Sequence, residues 1–302
     1  LAPNALAAAA RGVDVVFHAA GTTHVGAPEA VYRWLFVAGT ENVLAAARQA
    51  AVERVVFVSC SDVTLTDADR VHWDEKRDLI GEPIGARARC LRLAEELALT
   101  SSDDEVAVTV VRPGWVWGPG DRTRLPALVR EARRGGLRMC GAGKNLVSTS
   151  HVDLVAKVAL AAARAPVAPG HVYHVTDGEL LELRELFSAL TSALGLPPPV
   201  AGPPGPVAAA MTAIGRGLSR EELVFRRRSA LFDASLALGE LGVEPTLSLE
   251  AGMKALARWV EAEGGLDAIV ASERKPPTVE ELTREAAAAD AVAAEPSTVS
   301  ED

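Results

Sequence analysis

Four continuous apolar runs, separated by stretches of helical composition, constrain this chain most. They are Asp14-Val-Val-Phe-His-Ala-Ala-Gly21, Arg54-Val-Val-Phe-Val-Ser-Cys-Ser61, the run opening at Val106, and the one ending at Val175. Apolar residues that run on without alternating mark strands buried on both faces, as in a parallel sheet covered by helices. Strands are expected at 13–19, 55–59, 106–111 and 171–175, with helices over 28–50 (broken near Gly39), 87–99 and 151–164 between them. That order predicts an α/β, doubly wound parallel sheet.

The remaining segments are less periodic. Residues 5–11 form a short helix stopped by Gly12, and the polar stretch 62–84 is expected as a loop over a cleft. Further helices are expected at 125–134, 180–194, 207–218 and 249–263, with a turn at Gly141-Ala-Gly143 and a Pro/Gly linker at 197–206. The expected organisation is therefore a sheet domain over 1–178, with 126–149 contributing to the substrate side. A small, mainly helical substrate domain follows over 179–267. Residues 268–302, rich in Ala, Glu, Ser and Pro, are expected to be a disordered acidic tail.

Charge and cysteine usage narrow the function classes. A net charge of −9 over 302 residues argues against nucleic acid as a partner. The basic cluster Arg226-Arg-Arg228 is expected to be a solvated loop or helix end. Cys60, Cys90 and Cys140 show neither metal-ligand spacing nor an even disulfide framework, so reduced thiols of a cytoplasmic protein and no metal site are expected. No run approaches the ~20 apolar residues of a transmembrane span. The segment 207–214 reads as a packed helix, although contact with a membrane surface there stays open. The first residues carry no basic region of a signal peptide, and Leu1 is not an initiator methionine, which points to a fragment.

The motifs in order resemble the extended short-chain dehydrogenases/reductases. They are Asp14 to Gly21, Val37-Ala-Gly-Thr40, Arg54 to Ser61, the helix Arg87-Ala-Arg-Cys-Leu-Arg-Leu-Ala-Glu-Glu-Leu97, and Val106-Ala-Val-Thr-Val-Val-Arg-Pro-Gly-Trp-Val-Trp-Gly-Pro-Gly-Asp121. Within that superfamily the chain resembles the NAD-dependent epimerase/dehydratase and 3β-hydroxysteroid dehydrogenase/isomerase-like branch, over residues 1–265. The resemblance implies a partial Rossmann-type fold, NAD or NADP as cofactor, and a small-molecule secondary alcohol or ketone, steroid-like or isoprenoid-like, as substrate. It allows a homodimer. A nucleotide-sugar epimerase or dehydratase is the alternative enzyme, less favoured because the match to sugar-nucleotide contacts after Pro119-Gly-Asp121 is weak. The Gly-rich turn that holds a cofactor pyrophosphate at a helix N-terminus does not occur in this sequence. Gly114 to Gly120 lacks its spacing and Gly141-Ala-Gly143 comes too late. The resemblance therefore implies about two preceding βαβ half-units, roughly 60 residues at ~30 each.

Hydride transfer in the resembled family uses a tyrosine as acid/base and a lysine one helical turn on, both on the face toward the cofactor. Aligned on Leu93-Ala-Glu-Glu-Leu97, the tyrosine position holds Arg87 and the lysine position Leu91. Where the family has Asn-Val-x-Gly-Thr, this chain has Phe36-Val-Ala-Gly-Thr40. The catalytic serine position matches Ser61, which is equally a strand-end serine bonding the backbone. Cofactor-binding positions implied by the resemblance are Ala19, Ala20, Gly21, Ser59, Pro113, Gly114, Trp115 and Val116. Trp115, Trp117 and Arg138 are candidates for a substrate cleft, with core packing as the alternative for the tryptophans. Tyr32 and Tyr173 have no Lys at i+4 and are expected to be packing residues. His72 and Lys76 are assigned to a solvated loop, and Asp153 to helix capping. Two readings stay open: an active oxidoreductase, and a non-catalytic degenerate homologue that binds a dinucleotide or a partner.

Overall fold

The computed structural model describes residues 3–77, 81–215, 218–274, 278, 280, 281 and 284. Strands β1 (Val15–His18), β2 (Arg54–Val58), β3 (Ala107–Pro113) and β4 (Val172–Val175) form one parallel sheet in the order β1-β2-β3-β4. The register sets Val16 beside Val55, Val55 beside Val108, and Val110 beside Val172. Helices in chain order are α1 (Pro3–Ala9), α2 (Gly39–Gln49), α3 (Ala86–Thr100), α4 (Arg124–Arg133), α5 (Val152–Arg164), α6 (Leu183–Ala193), α7 (Arg220–Arg227), α8 (Leu249–Ala262) and α9 (Leu266–Ala271).

The two-residue period of each strand sorts its side chains between two cores. Val55, Phe57, Val108 and Val110 pack against Leu44 and Ala47 of α2 and Cys90, Leu91, Ala94 and Ala98 of α3. Val56, Val111, Tyr173 and Val175 face the other way, onto Leu154, Val158 and Ala162 of α5. Helices on both faces of a parallel sheet make a Rossmann-type α/β fold. A third core joins Leu125 and Val129 of α4, Leu186 and Phe187 of α6, Leu256 of α8 and Ile269 of α9 to Trp117. Helix α3 is anchored to β3 by a buried ion pair, in which Arg112 Nε donates to Glu95 Oε2 at 2.9 Å. That anchor fixes which face of α3 looks at the strand ends.

Several expectations need correction. Strand β1 is not buried on both faces: Phe17 is 45% exposed, because α5 lies over β2 and β3. The helix expected over 28–50 does not break at Gly39, which is buried and helical. Instead an α-turn Glu29–Tyr32 passes through a π-helical stretch, Arg33–Ala38, into α2. The stretch 62–84 is not all loop. After a 3-10 turn Ser61–Thr64, Arg70–Trp73 pairs in parallel with Ala230–Phe232 in a second small sheet; residues 78–80 lie outside the described residues.

The solvated reading of Arg226 is also overturned. It is 1% exposed at the end of α7, donating to Glu131 and Glu222, while Arg227 and Arg228 pair with Asp67. Helix Gly205–Ala213 lies against α7 but buries none of its side chains, and Ile214 just beyond it is 68% exposed. It is not the packed helix expected. Of the expected tail, 268–271 belong to α9 and Glu273 makes a two-pronged ion pair with Arg130. Most of the chain beyond Arg274 lies outside the described residues. Asp153 does not cap α5: the N-cap is His151, whose Nδ1 accepts from the Asp153 backbone N–H. Tyr32 and Tyr173 are buried packing residues with hydroxyls donating to the His24 carbonyl and to Glu240. No helix among the described residues is long and apolar enough to cross a membrane.

Candidate functional site

The strand ends shape the cleft. Residues following β1, β2 and β3 converge where the strands stop, and the cavity between them encloses about 650 Å³. Ala19, Ala20 and Gly21 form one wall, Ser59 and Cys60 the floor, and Pro113, Gly114 and Val116 the facing wall. Two glycines allow the walls to close in. A Cβ on Gly21 would stand 2.5 Å from Phe36 Cε1, and one on Gly114 would stand 2.5 Å from the Ser148 carbonyl. Helix α3 crosses this opening, and the i, i+4 pair Arg87 and Leu91 both line it, with Phe36 beside them.

Other sequence candidates fall elsewhere. Trp115 lines a neighbouring chamber of about 320 Å³, where its ring stacks on Phe225 and lies 5.8 Å beneath the Arg124 guanidinium. Trp117 is a wall residue of the main cleft. Its indole donates to Asp177 at 2.8 Å and meets His151 edge-on. Asp177 also accepts from Thr149 and from the His151 backbone, tying the cleft wall to the start of α5. Arg138 is exposed and lines neither cavity; its backbone carbonyl accepts from Arg226. Ser61 is buried in a hollow of about 20 Å³ behind the cleft, outside the main cavity. His72 and Lys76 are exposed.

Three residues that sequence reasoning passed over complete the centre. Cys60 lines the cleft where Ser61 does not. Asp62, just beyond it, forms an ion pair with Arg87 and lies 3.8 Å from Arg124. Burial alone would raise the Asp62 carboxyl, but Arg87 and then Arg124 outweigh it and hold the group below its usual range. Burial pushes the Cys60 thiol up, and Asp62 adds to that push. The Arg87 guanidinium is disfavoured by burial, yet Asp62 raises its already high pKa further. The cluster is thus two fixed cations, one fixed anion and a protonated thiol. None of the four gains or loses a proton easily near neutrality.

The lining fits a nicotinamide ring in part. The Ser59 hydroxyl is buried in the cleft floor without a partner among the described residues, and the small residues at 19–21 leave room beside it. The ribose does not fit as well. Leu91 offers a sugar neither charge nor hydrogen bond from its place on the cleft wall, and the aromatic ring of Phe36 fills the space against Gly21. No hydride step follows from this set. Among the described residues, no group of three or more His, Cys, Asp or Glu side chains is placed to hold a metal ion.

Comparison with known proteins agrees with this architecture. The model of the 3-beta hydroxysteroid dehydrogenase/isomerase family matches residues 1–201. The chain is 36% identical over 261 residues to a 4-hydroxy-2-methyl-3-oxo-4-farnesyl-3,4-dihydroquinoline-1-oxide ketoreductase of Stigmatella aurantiaca, covering 85% of this chain and 77% of that protein. It is 35% identical over 201 residues to a 2-alkyl-3-oxoalkanoate reductase of Stenotrophomonas maltophilia, covering 65% of this chain and 61% of the relative. Among solved structures, MoeE5 in complex with UDP-glucuronic acid and NAD superposes with a TM-score of 0.68 at 24% identity, over 85% of this chain and 82% of that one.

Proposed function

This chain belongs to the 3-beta hydroxysteroid dehydrogenase/isomerase family, and from that premise we propose that it is a non-catalytic relative, a binding protein that retains an oxidoreductase cleft. One observation carries the proposal. The side chain facing the cleft from the acid/base position of α3 is Arg87, locked to Asp62. A guanidinium donates hydrogen bonds but does not cycle a proton near neutrality. Leu91 and Phe36 line the same cleft, and in our reading they stand at the positions of the two groups that would tune and relay that proton. General acid–base catalysis contributes about 10²–10⁴ in rate, so its removal takes away most useful turnover.

A second reading is an active NAD(P)-dependent reductase of a steroid-like or isoprenoid-like ketone. It is favoured by the wall at Ala19 to Gly21, Ser59 and Pro113 to Val116, which surrounds a cavity large enough for a nicotinamide. Assay of the full chain separates the two. NAD+ or NADP+ would be offered with secondary alcohols, including hydroxysteroids, and NADH or NADPH with ketones. No turnover above the enzyme-free rate is expected. Restoring Phe36→Asn, Arg87→Tyr and Leu91→Lys, with Asp62→Ser to remove the carboxylate that Arg87 would leave unpaired, is expected to raise turnover by about 10² or more. Turnover by the unaltered chain at an ordinary enzymatic ~1–10³ s⁻¹, surviving Arg87→Ala and Leu91→Ala, would overturn the proposal.

A further inference from the structure

A separate cavity of about 410 Å³ lies at β4, the outer strand of the parallel sheet, and shares no lining residue with the cleft or the chamber beside it. We propose that it binds a neutral phenol, a small aromatic molecule whose one polar group is a hydroxyl. This site lies beyond the reading of the cleft and does not depend on it.

The two-residue period of β4 builds the site. Tyr173 and Val175 pack toward α5, so His174 between them turns to the opposite face, where its ring stacks on Phe232 with centroids 4.8 Å apart. Val175 with Leu154 and Val158 of α5 lines the cavity from one face of the sheet, and His174 with Phe232 lines it from the other. The helix Ser235–Leu241 adds Leu238 to the apolar wall. His174 is the feature that points to a ligand. It is 0% exposed, and neither ring nitrogen has a hydrogen-bond partner among the described residues. Buried polar groups are nearly always paired, and leaving one unpaired costs stability. An imidazole left open on a cavity wall therefore calls for a partner inside the cavity. Burial keeps this ring neutral, so it presents one N–H donor and one lone-pair acceptor. A hydroxyl donates and accepts, and so bonds whichever nitrogen is turned to it.

Charge decides against ionised ligands. Among the described residues no Lys or Arg lines this cavity, whereas Asp233 and Glu179 do, so an anion is repelled. Arg112, beside His174 in the strand register, disfavours a positive charge at that ring. A phenol suits the imidazole better than an alkanol does, because its more acidic O–H is the stronger donor to the ring's lone pair. Its flat apolar body matches a wall of Leu154, Val158, Phe232 and Leu238. The volume of about 410 Å³ falls within the ~300–1,000 Å³ usual for ligand pockets.

Calorimetric titration of the full chain near neutral pH with 4-ethylphenol, ethylbenzene and 4-ethylbenzoate tests this. The phenol is expected to bind saturably and ~10-fold more tightly than the hydrocarbon, the discrimination that one buried hydrogen bond supplies. The benzoate is expected not to bind. His174→Phe keeps a ring and removes both nitrogens, so it is expected to bring the phenol down to the affinity of ethylbenzene. Leu238→Trp, at a position 45% exposed, is expected to weaken both ligands by filling the cavity from its rim. No saturable binding of the phenol, which would leave water as the partner of His174, overturns the proposal. So does equal binding of phenol and hydrocarbon, tighter binding of the benzoate, or phenol binding untouched by Leu238→Trp. The wild-type comparison stands even if His174→Phe folds poorly. Turnover in the cleft, or its absence, leaves this titration unaffected.

Discussion

At the scale of single residues, the Arg87–Asp62 pair decides both function and local stability. A buried ion pair adds little over a well-packed apolar pair, but removing one partner strands the other. Arg87→Met is therefore expected to destabilise the fold by roughly 3 kcal/mol, the low end of the ~3–5 kcal/mol range because Arg124 still faces the carboxylate. Arg87→Met combined with Asp62→Leu is expected to recover most of that loss. Urea unfolding of the two single variants and the double variant measures the coupling, and additive effects would show that the pair is not an energetic unit. The shared place of Arg87 and Leu91 on the cleft was legible, because i, i+4 spacing on a helix fixes a shared face, and Phe36 was picked out through its place before Val37-Ala-Gly-Thr40. Cys60 was not. Once β2 ends at Val58, the two-residue period no longer says which way a side chain points, and the series Ser59-Cys60-Ser61 gave no register. Arg226 was misjudged for a related reason: three consecutive arginines look solvated until Glu131, 95 positions away, meets one of them.

At the scale of elements, one helix of the third core reaches directly into the cleft wall. A Cβ on Gly252 of α8 would collide with Cη2 of Trp117. That indole cannot swing aside easily, being held by Asp177 and by the edge of His151. Gly252→Ala is expected to lower stability by up to about 2 kcal/mol: overpacking costs ~1–3 kcal/mol, less the ~1 kcal/mol by which Ala favours a helix. It should also shift the intrinsic tryptophan fluorescence. At Gly239, in the helix Ser235–Leu241, an added Cβ would meet nothing within 4 Å. Gly239→Ala is therefore expected to be neutral or stabilising by up to ~1 kcal/mol. Equal effects of the two changes would remove the steric argument. The four long strands and the helices between them were visible in the sequence, since apolar runs and helical periods need no partner to be recognised. Arg70–Trp73 was hidden because it alternates Arg70 and His72 with Val71 and Trp73 over only four residues, of which Arg70 alone is buried. What makes them a strand is Ala230–Phe232, more than 150 residues away.

At the scale of the whole molecule, acid sensitivity is set by histidines at opposite edges of the sheet. His18 on β1 is hydrogen-bonded to Thr40 and packed on Phe57, and burial lowers its pKa to about 4. His174 on β4 stacks on Phe232 with neither ring nitrogen partnered among the described residues, and burial, then Arg112, lowers it to about 3. Both rings stay neutral in the folded chain, while the unfolded chain protonates them below about 6.5. The unfolded state thus binds more protons between about pH 6.5 and 4, and stability falls as pH falls through that window. Each histidine contributes a slope of up to about 1.4 kcal/mol per pH unit. Glu75, which accepts from the His174 backbone N–H and is raised by burial, titrates in the opposite sense and offsets part of it. Asp62, held low by its arginines, contributes stability that is lost only below about 3.9. Urea midpoints at pH 7.5, 5.5 and 4.5 are therefore expected to decline in the wild type. His174→Leu should decline less steeply over the same range, since it removes one proton-binding site from the unfolded chain only. A variant whose slope equals that of the wild type would show that His174 is already protonated in the native fold, and that its ring has found a partner on acidification.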